Sequence, residues 1–243
     1  KNSCGQLGNG TDYTDDPVPQ RVYGLEEIVA ISAGSSHALA LKADGTVWAW
    51  GDNNKTKLGI GSEELKIHTP QQVKDPDGNS YLSGIVAISA GFDHSLALKD
   101  DGTVWAWGDN SWGQLGQGTS SGFEPYPIQV KDSSGAGYLS EVVAIAAGPF
   151  HNLALKSDGT VWAWGENGYG QLGDGTTSEK DLPVQVRGED GTGYLSNIIQ
   201  IAAGGEEASH SLALRNDGKV WAWGNGIWAA WKRRNFQLYT RSG

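Results

Sequence analysis

The residues best suited to chemistry are four histidines that recur at one position of a repeated motif: His37, His94 and His151 stand 57 residues apart, and His210 follows after 59 more. Imidazoles spaced this way invite a metal-centre or general-base reading, and the pairs Ser36-His37 and Ser209-His210 invite a hydrolase. A catalytic base is needed once, however, whereas this histidine returns in every unit, and copies on separate units are too dispersed for ordinary zinc coordination. The expected role is structural, each ring ordering its own loop through hydrogen bonds to nearby backbone. The Gly-rich stretches G-Q-L-G-x-G lack the Lys-Ser/Thr pair and the strand-to-helix context of a phosphate cradle. Asp75 to Asn79 and Glu189 to Gly193 hold oxygen donors but not the full calcium ligand series. No Ser-His-Asp or Cys-His constellation assembles and Cys4 is the single cysteine, so no catalytic residue, metal or cofactor is expected. Paired carboxylates acting across units stay open, because that spacing is not written in a sequence.

Function is expected where the copies differ, since recurring positions maintain a scaffold and variable loops decorate it. Two places vary. Between A-G and H stand Ser35-Ser36, Phe92-Asp93, Pro149-Phe150 and the longer Gly205-Glu206-Glu207-Ala208-Ser209. Ahead of G-Q-L-G stand Ser3-Cys4, Ser111-Trp112 and Gly168-Tyr169, with Asn54 to Lys57 a degenerate counterpart. Aromatics among carboxylates on exposed loops suit a protein-binding face, the rings as anchors and the acids as steering charges. The candidate binding residues are therefore Phe92, Asp93, Trp112, Phe150, Tyr169, Glu206 and Glu207. Ordinary loop caps are the plainer reading of the same residues.

A tandem array must position these loops. The block I-V-A-I-S-A-G-S-S-H-A-L-A-L-K-A-D-G-T-V-W-A-W-G, Ile28 to Gly51, recurs from Ile85 to Gly108, from Val142 to Gly165 and, with a longer loop, from Ile198 to Gly224. Its apolar residues come in short runs bounded by Gly, Asp and Ser, without helical spacing, so the runs are strands. Asp-Gly pairs at 44–45, 101–102, 158–159 and 217–218 offer the positive φ of a tight hairpin turn. With the I-V-A-I and P-x-Q-V runs, each copy carries about four short strands, the blade unit of a propeller. One small sheet cannot bury both faces, so blades must stack. Eight of the 11 tryptophans sit in pairs on the V-W-A-W-G strands. Alternation puts each pair on one sheet face, wedged against small side chains between blades, where the rings pack instead of meeting a ligand.

The pattern A-G-x-x-H-x-L-A-L-x-x-D-G-x-V-W-A-W-G-x-N-x-x-G-Q-L-G resembles the repeat of the regulator of chromosome condensation family over nearly the whole chain. The resemblance implies an all-β fold, a seven-bladed β-propeller of four-stranded blades, of which this chain holds about four. It extends to secreted bacterial propellers that inhibit β-lactamases through aromatic-bearing loops, which marks Phe92, Phe150, Trp112 and Tyr169 as the leading contact residues. The W-A-W-G strands and the G-Y-L-S connectors (137–140 and 193–196) are similar to bacterial members.

The expected organisation is a single repeat domain, 1–225, in units of roughly 1–51, 52–108, 109–165 and 166–224, entered mid-repeat at the N-terminus. Residues 226–243 resemble nothing upstream. Synonymous codons exist for them that, read one base later, give E-Y-G-Q-L-G-N-G-E-T-S-N-S-I-P-V-Q-V, restoring two motifs at repeat spacing. A shifted reading frame is therefore expected there, which leaves Lys232, Arg233 and Arg234 without a function.

A net charge of −10, from 18 basic and 28 acidic residues, argues against nucleic acid and anionic membranes as partners. No apolar run approaches the roughly 18 to 20 residues of a spanning helix. The functional expectation is a non-enzymatic protein-interaction scaffold within a bacterial secreted or surface protein, with a protein partner and with self-association through open blade faces. Two alternatives are guanine-nucleotide exchange on a small GTPase, implied by the resemblance, and a carbohydrate-binding or glycan-active propeller whose loop aromatics stack on sugars.

Overall fold

The computed structural model describes residues 2–11, 15–205 and 209–225. Glu206, Glu207 and the stretch 226–243 lie outside the described residues. Short apolar runs broken by Asp-Gly and Gly-rich turns fold into four antiparallel meanders. The first sheet is β1 (Ile28–Ala33), β2 (His37–Lys42), β3 (Val47–Asp52) and β4 (Lys66–Gln72). The second is β5 (Ile85–Ala90), β6 (His94–Lys99), β7 (Val104–Asp109) and β8 (Phe123–Gln129). The third is β9 (Val142–Ala147), β10 (His151–Lys156), β11 (Val161–Gly165) and β12 (Lys180–Gln185). The fourth has three strands among the described residues, β13 (Ile198–Gly204), β14 (His210–Arg215) and β15 (Val220–Gly224). Each sequence unit thus feeds two sheets: residues 52–108 give β4 to the first and β5 to β7 to the second.

The turns are made as the sequence predicts. Gly45 takes φ of 80°, and Asp44 Oδ1 accepts the Thr46 amide at 3.0 Å and its hydroxyl at 2.6 Å, an arrangement repeated at Asp101/Thr103 and Asp158/Thr160. Strands β1, β5, β9 and β13 contact one another in succession and so line the axis. Among the described residues, packing passes from each sheet to the next and does not return from the fourth to the first, which leaves the ring open there.

Three hydrophobic clusters fill the three seams. In the first, Leu39, Leu41, Val47 and Ala49 of one sheet meet Ala97, Trp105 and Trp107 of the next. Leu96, Leu98, Val104 and Ala106 meet Trp162 and Trp164 in the second, and Leu153, Leu155, Val161 and Ala163 meet Trp221 and Trp223 in the third. Each seam therefore pairs one sheet's Leu/Val/Ala face with the next sheet's indole face, as strand alternation requires.

Candidate functional site

The recurring histidines are seam residues, but their partner differs from the one the sequence suggested. His37 Nε2 lies 3.0 Å from Ser95 Oγ, His94 Nε2 2.7 Å from Asn152 Oδ1, and His151 Nε2 3.0 Å from Ser211 Oγ. Every one of these partners is a side chain on the next sheet. Those partners are themselves committed: Ser95 Oγ donates to Lys57 O, Asn152 Nδ2 to Gln114 O and Ser211 Oγ to Gln171 O, each at 2.8 Å. A hydroxyl that has given its one proton to a carbonyl can only accept from the imidazole, and the Asn152 amide oxygen is an acceptor alone, so all three rings carry their proton on Nε2. The Gln114 and Gln171 carbonyls also accept the Trp164 and Trp223 indoles at 2.9 and 2.8 Å. In the second and third seams one carbonyl thus gathers a tryptophan of the next sheet and, through Asn or Ser, a histidine of the preceding one, whereas in the first seam the Lys57 carbonyl takes Ser95 alone and the Trp107 indole N–H is buried without a partner among the described residues.

Burial holds the His37 and His151 imidazoles down to about 3, and lowers His94 in the same way. Neutral, buried and engaged across a seam, these rings are unsuited to general-base or metal chemistry. The small residue before each loop follows from the same packing, since a Cβ on Gly34, Gly91 or Gly148 would collide with the His ring.

The loops ahead of these histidines, 34–36, 91–93 and 148–150, converge at one end of the axis. Together with Gly204 and Gly205 they line a hollow of about 300 Å³, floored by small residues. Ser35 Oγ donates to Phe92 O at 2.7 Å and Phe92 N to Pro149 O at 3.0 Å, so each loop is tied to the next. At the rim three rings meet. Phe92 and Phe150 stand 5.3 Å apart between centroids, tilted by 36°, and Trp112 lies 6.5 Å from Phe150 at 53°. Trp112 enters from the loop after β7, fixed by its amide on Gln114 Oε1 at 2.8 Å, and remains 42% exposed. Tyr169 takes the matching position after β11, its amide on Gln171 Oε1 at 2.9 Å and its ring exposed, but it makes no ring contact with the other three among the described residues.

Asp93 has a different neighbour. Lys57 occupies the place of the G-Q-L-G glutamine and is fully buried, its ammonium between Asp52 Oδ2 at 2.5 Å and Asp93 Oδ1. In two other units that glutamine donates to the equivalent carboxylate, Gln114 to Asp109 at 3.0 Å and Gln171 to Glu166 at 2.8 Å. Replacing Gln by Lys adds a charge that the second carboxylate, Asp93 on the neighbouring loop, neutralises. Sequence reasoning missed Lys57; the signal was a cation in a Gln position beside the one loop copy that carries Asp. Lys57→Met is expected to destabilise the fold by about 2–3 kcal/mol at pH 7 by leaving two carboxylates without their cation, and Lys57→Gln, which keeps the hydrogen bond to Asp52, by clearly less. Urea unfolding of the two variants checks this ordering; equal midpoints would contradict it.

In comparison with known proteins, residues 1–230 match the family model of the RCC1-like domain. Human HERC6, which bears the name of an E3 ubiquitin-protein ligase, is 34% identical over 228 residues, covering 92% of this chain and 21% of HERC6. Among solved structures, human WBSCR16 superposes with a TM-score of 0.72 at 27% identity, covering 92% of this chain and 54% of that one. Yeast RCC1 (Prp20), crystallised bound to Kap60, superposes with a TM-score of 0.65 at 26% identity, covering 82% and 44%. This chain spans about half or less of the length of these relatives.

Proposed function

Since the chain belongs to the RCC1-like domain family, we propose that its axial end is a protein-docking surface and that the chain works as an interaction scaffold without chemistry of its own. The observation that carries this reading is the ring cluster of Phe92, Phe150 and Trp112, drawn from three loops of two successive sheets onto the rim of the axial hollow. Partly exposed aromatics held on rigid loops bury much area at little entropic cost when a partner covers them. That yeast RCC1 binds the protein Kap60 supports a protein partner here. Tyr169 extends the surface on the next loop, and the net charge of −10 favours a basic partner. The setting proposed is a bacterial secreted or surface protein, a reading supported by the W-A-W-G strands and G-Y-L-S connectors; the relatives named above are from human and yeast.

Phe150→Ala is expected to weaken capture of the partner roughly 10- to 30-fold, and Trp112→Ala comparably, with the unfolding midpoint little changed. Affinity measured on the partner recovered with the unaltered chain checks it. Undiminished affinity in both variants, or turnover in a nucleotide-exchange assay or a hit on a glycan array that depends on these rings, would overturn the reading.

A further inference from the structure

One carboxylate beside the ring cluster lacks the cation that its counterparts hold. In each of the first three sheets an acid follows V-W-A-W-G: Asp52, Asp109 and Glu166. Their amides donate to the carbonyls of Ser36, Asp93 and Phe150, each at 2.9 Å, so the three acids occupy one structural position. Asp52 has the Lys57 ammonium at 2.5 Å. Asp109 has the Lys55 ammonium at 3.8 Å, with the Ser111 hydroxyl at 2.7 Å and the Gln114 amide at 3.0 Å. Glu166 has the Gln171 amide on Oε2 at 2.8 Å, and among the described residues no lysine or arginine pairs with it. Lys180, which follows Glu179 in the chain, pairs with Asp174 at 3.4 Å instead.

Burial, the largest influence, and the charge of Glu179 push the Glu166 carboxyl up from its ordinary value, against the hydrogen bond from Gln171. Its negative charge is therefore held at a cost that an arriving cation relieves. That charge also adjoins the rings. His151 pairs with Gly165, which sets Phe150 and Glu166 next to each other at the end of β10 and β11. Phe150 is the ring that both Phe92 and Trp112 meet, at 5.3 and 6.5 Å. A partly exposed apolar patch thus ends on a half-buried, unneutralised carboxylate, a combination complementary to a cation carried beside an apolar group.

We propose that Glu166 is the charge-reading residue of the docking surface, and that the partner is a protein presenting an arginine or lysine beside an apolar side chain, the cation seated on Glu166 and the apolar group on Phe150 and Trp112. The inference rests on the docking surface proposed above and names what that surface selects. Lys57 and Lys55 supply the chemistry from within the chain, each giving one of the equivalent acids the positive charge that Glu166 takes from outside. Glu166 Oε1 accepts no hydrogen bond among the described residues, so it is left to receive the partner's N–H groups while Oε2 keeps Gln171.

The full chain is panned against a phage-displayed library of random peptides, and the selected peptides are synthesised and titrated against the unaltered chain, Glu166→Gln and Phe150→Ala. Glu166→Gln keeps an oxygen for Gln171 and removes the charge alone, and its urea midpoint verifies the fold. The expected result is peptides carrying arginine or lysine beside an aromatic or aliphatic residue, bound roughly 5- to 10-fold more weakly by Glu166→Gln, and losing affinity with added salt more steeply in the unaltered chain than in that variant. Exchanging the peptide's basic residue for glutamine should cost the unaltered chain the same factor and Glu166→Gln almost nothing, which a merely structural role for Glu166 would not produce. Peptides that depend on Phe150 but lack a basic residue, or that bind Glu166→Gln undiminished, would overturn this inference and leave the docking surface standing. Peptides indifferent to Phe150→Ala, or a library that yields no binder, would overturn both.

Discussion

Lowering the pH from 7 to 5 is expected to destabilise the folded chain by about 4 kcal/mol through His37 and His151 together, with His94 adding in the same direction. Burial places the folded-state values of His37 and His151 at about 3, against an ordinary 6.5 in the unfolded chain. Between those limits the unfolded chain takes up protons that the folded chain refuses, so stability is complete above 6.5 and is lost as the pH falls toward 3. At pH 5 each ring contributes about 2 kcal/mol to the loss. The urea midpoint at pH 7, 6 and 5 reads the effect, and His37→Gln should flatten the dependence because one titrating ring is gone. A midpoint unchanged across this range would mean that the rings are not buried neutral.

Trp164→Ala is expected to cost about 3–5 kcal/mol, the range for removing a fully buried indole from a core. The ring sits in the second seam against the Leu96, Val104 and Ala106 face, and its N–H is one of two donors on the Gln114 carbonyl. Truncation therefore opens a cavity and strips one donor from the point where linker, sheet and histidine meet. Trp162→Ala, two residues back on the same face but only partly buried, should cost less, because water already reaches part of its surface. Thermal or urea unfolding of the pair checks the difference. Equal losses would show that the second tryptophan of W-A-W-G is not the seam's anchor.

The strands, hairpins and stacking of indoles on small residues were legible in the sequence because each follows from local chemistry repeated in every unit: alternation on V-W-A-W-G, Asp-Gly at the turns, and the need of a small sheet for neighbours. What lay across a seam was not legible. His37 was expected to serve its own loop, but its partner, Ser95, is 58 residues away and stands beside it only once two sheets have stacked. Phe92, Phe150 and Trp112 could be named one by one as variable-loop aromatics, whereas their meeting within 5.3 to 6.5 Å needed the axis to draw the loops together. Lys57 escaped altogether, because an isolated lysine in a degenerate turn looks solvent-exposed until its two carboxylates are in place.

The central claim is that the residues recurring in every unit build the seams and leave recognition to the residues that vary. Long-range proton–nitrogen correlation spectra of the imidazoles at pH 7 and 5 test it most directly. The three seam histidines, His37, His94 and His151, should each appear as a neutral ring protonated on Nε2 at pH 7 and unmoved by added zinc, with His37 and His151 unchanged at pH 5. His37 or His151 charged at pH 5, or any of the three rings protonated on Nδ1 at pH 7 or shifted by the metal, would contradict the account.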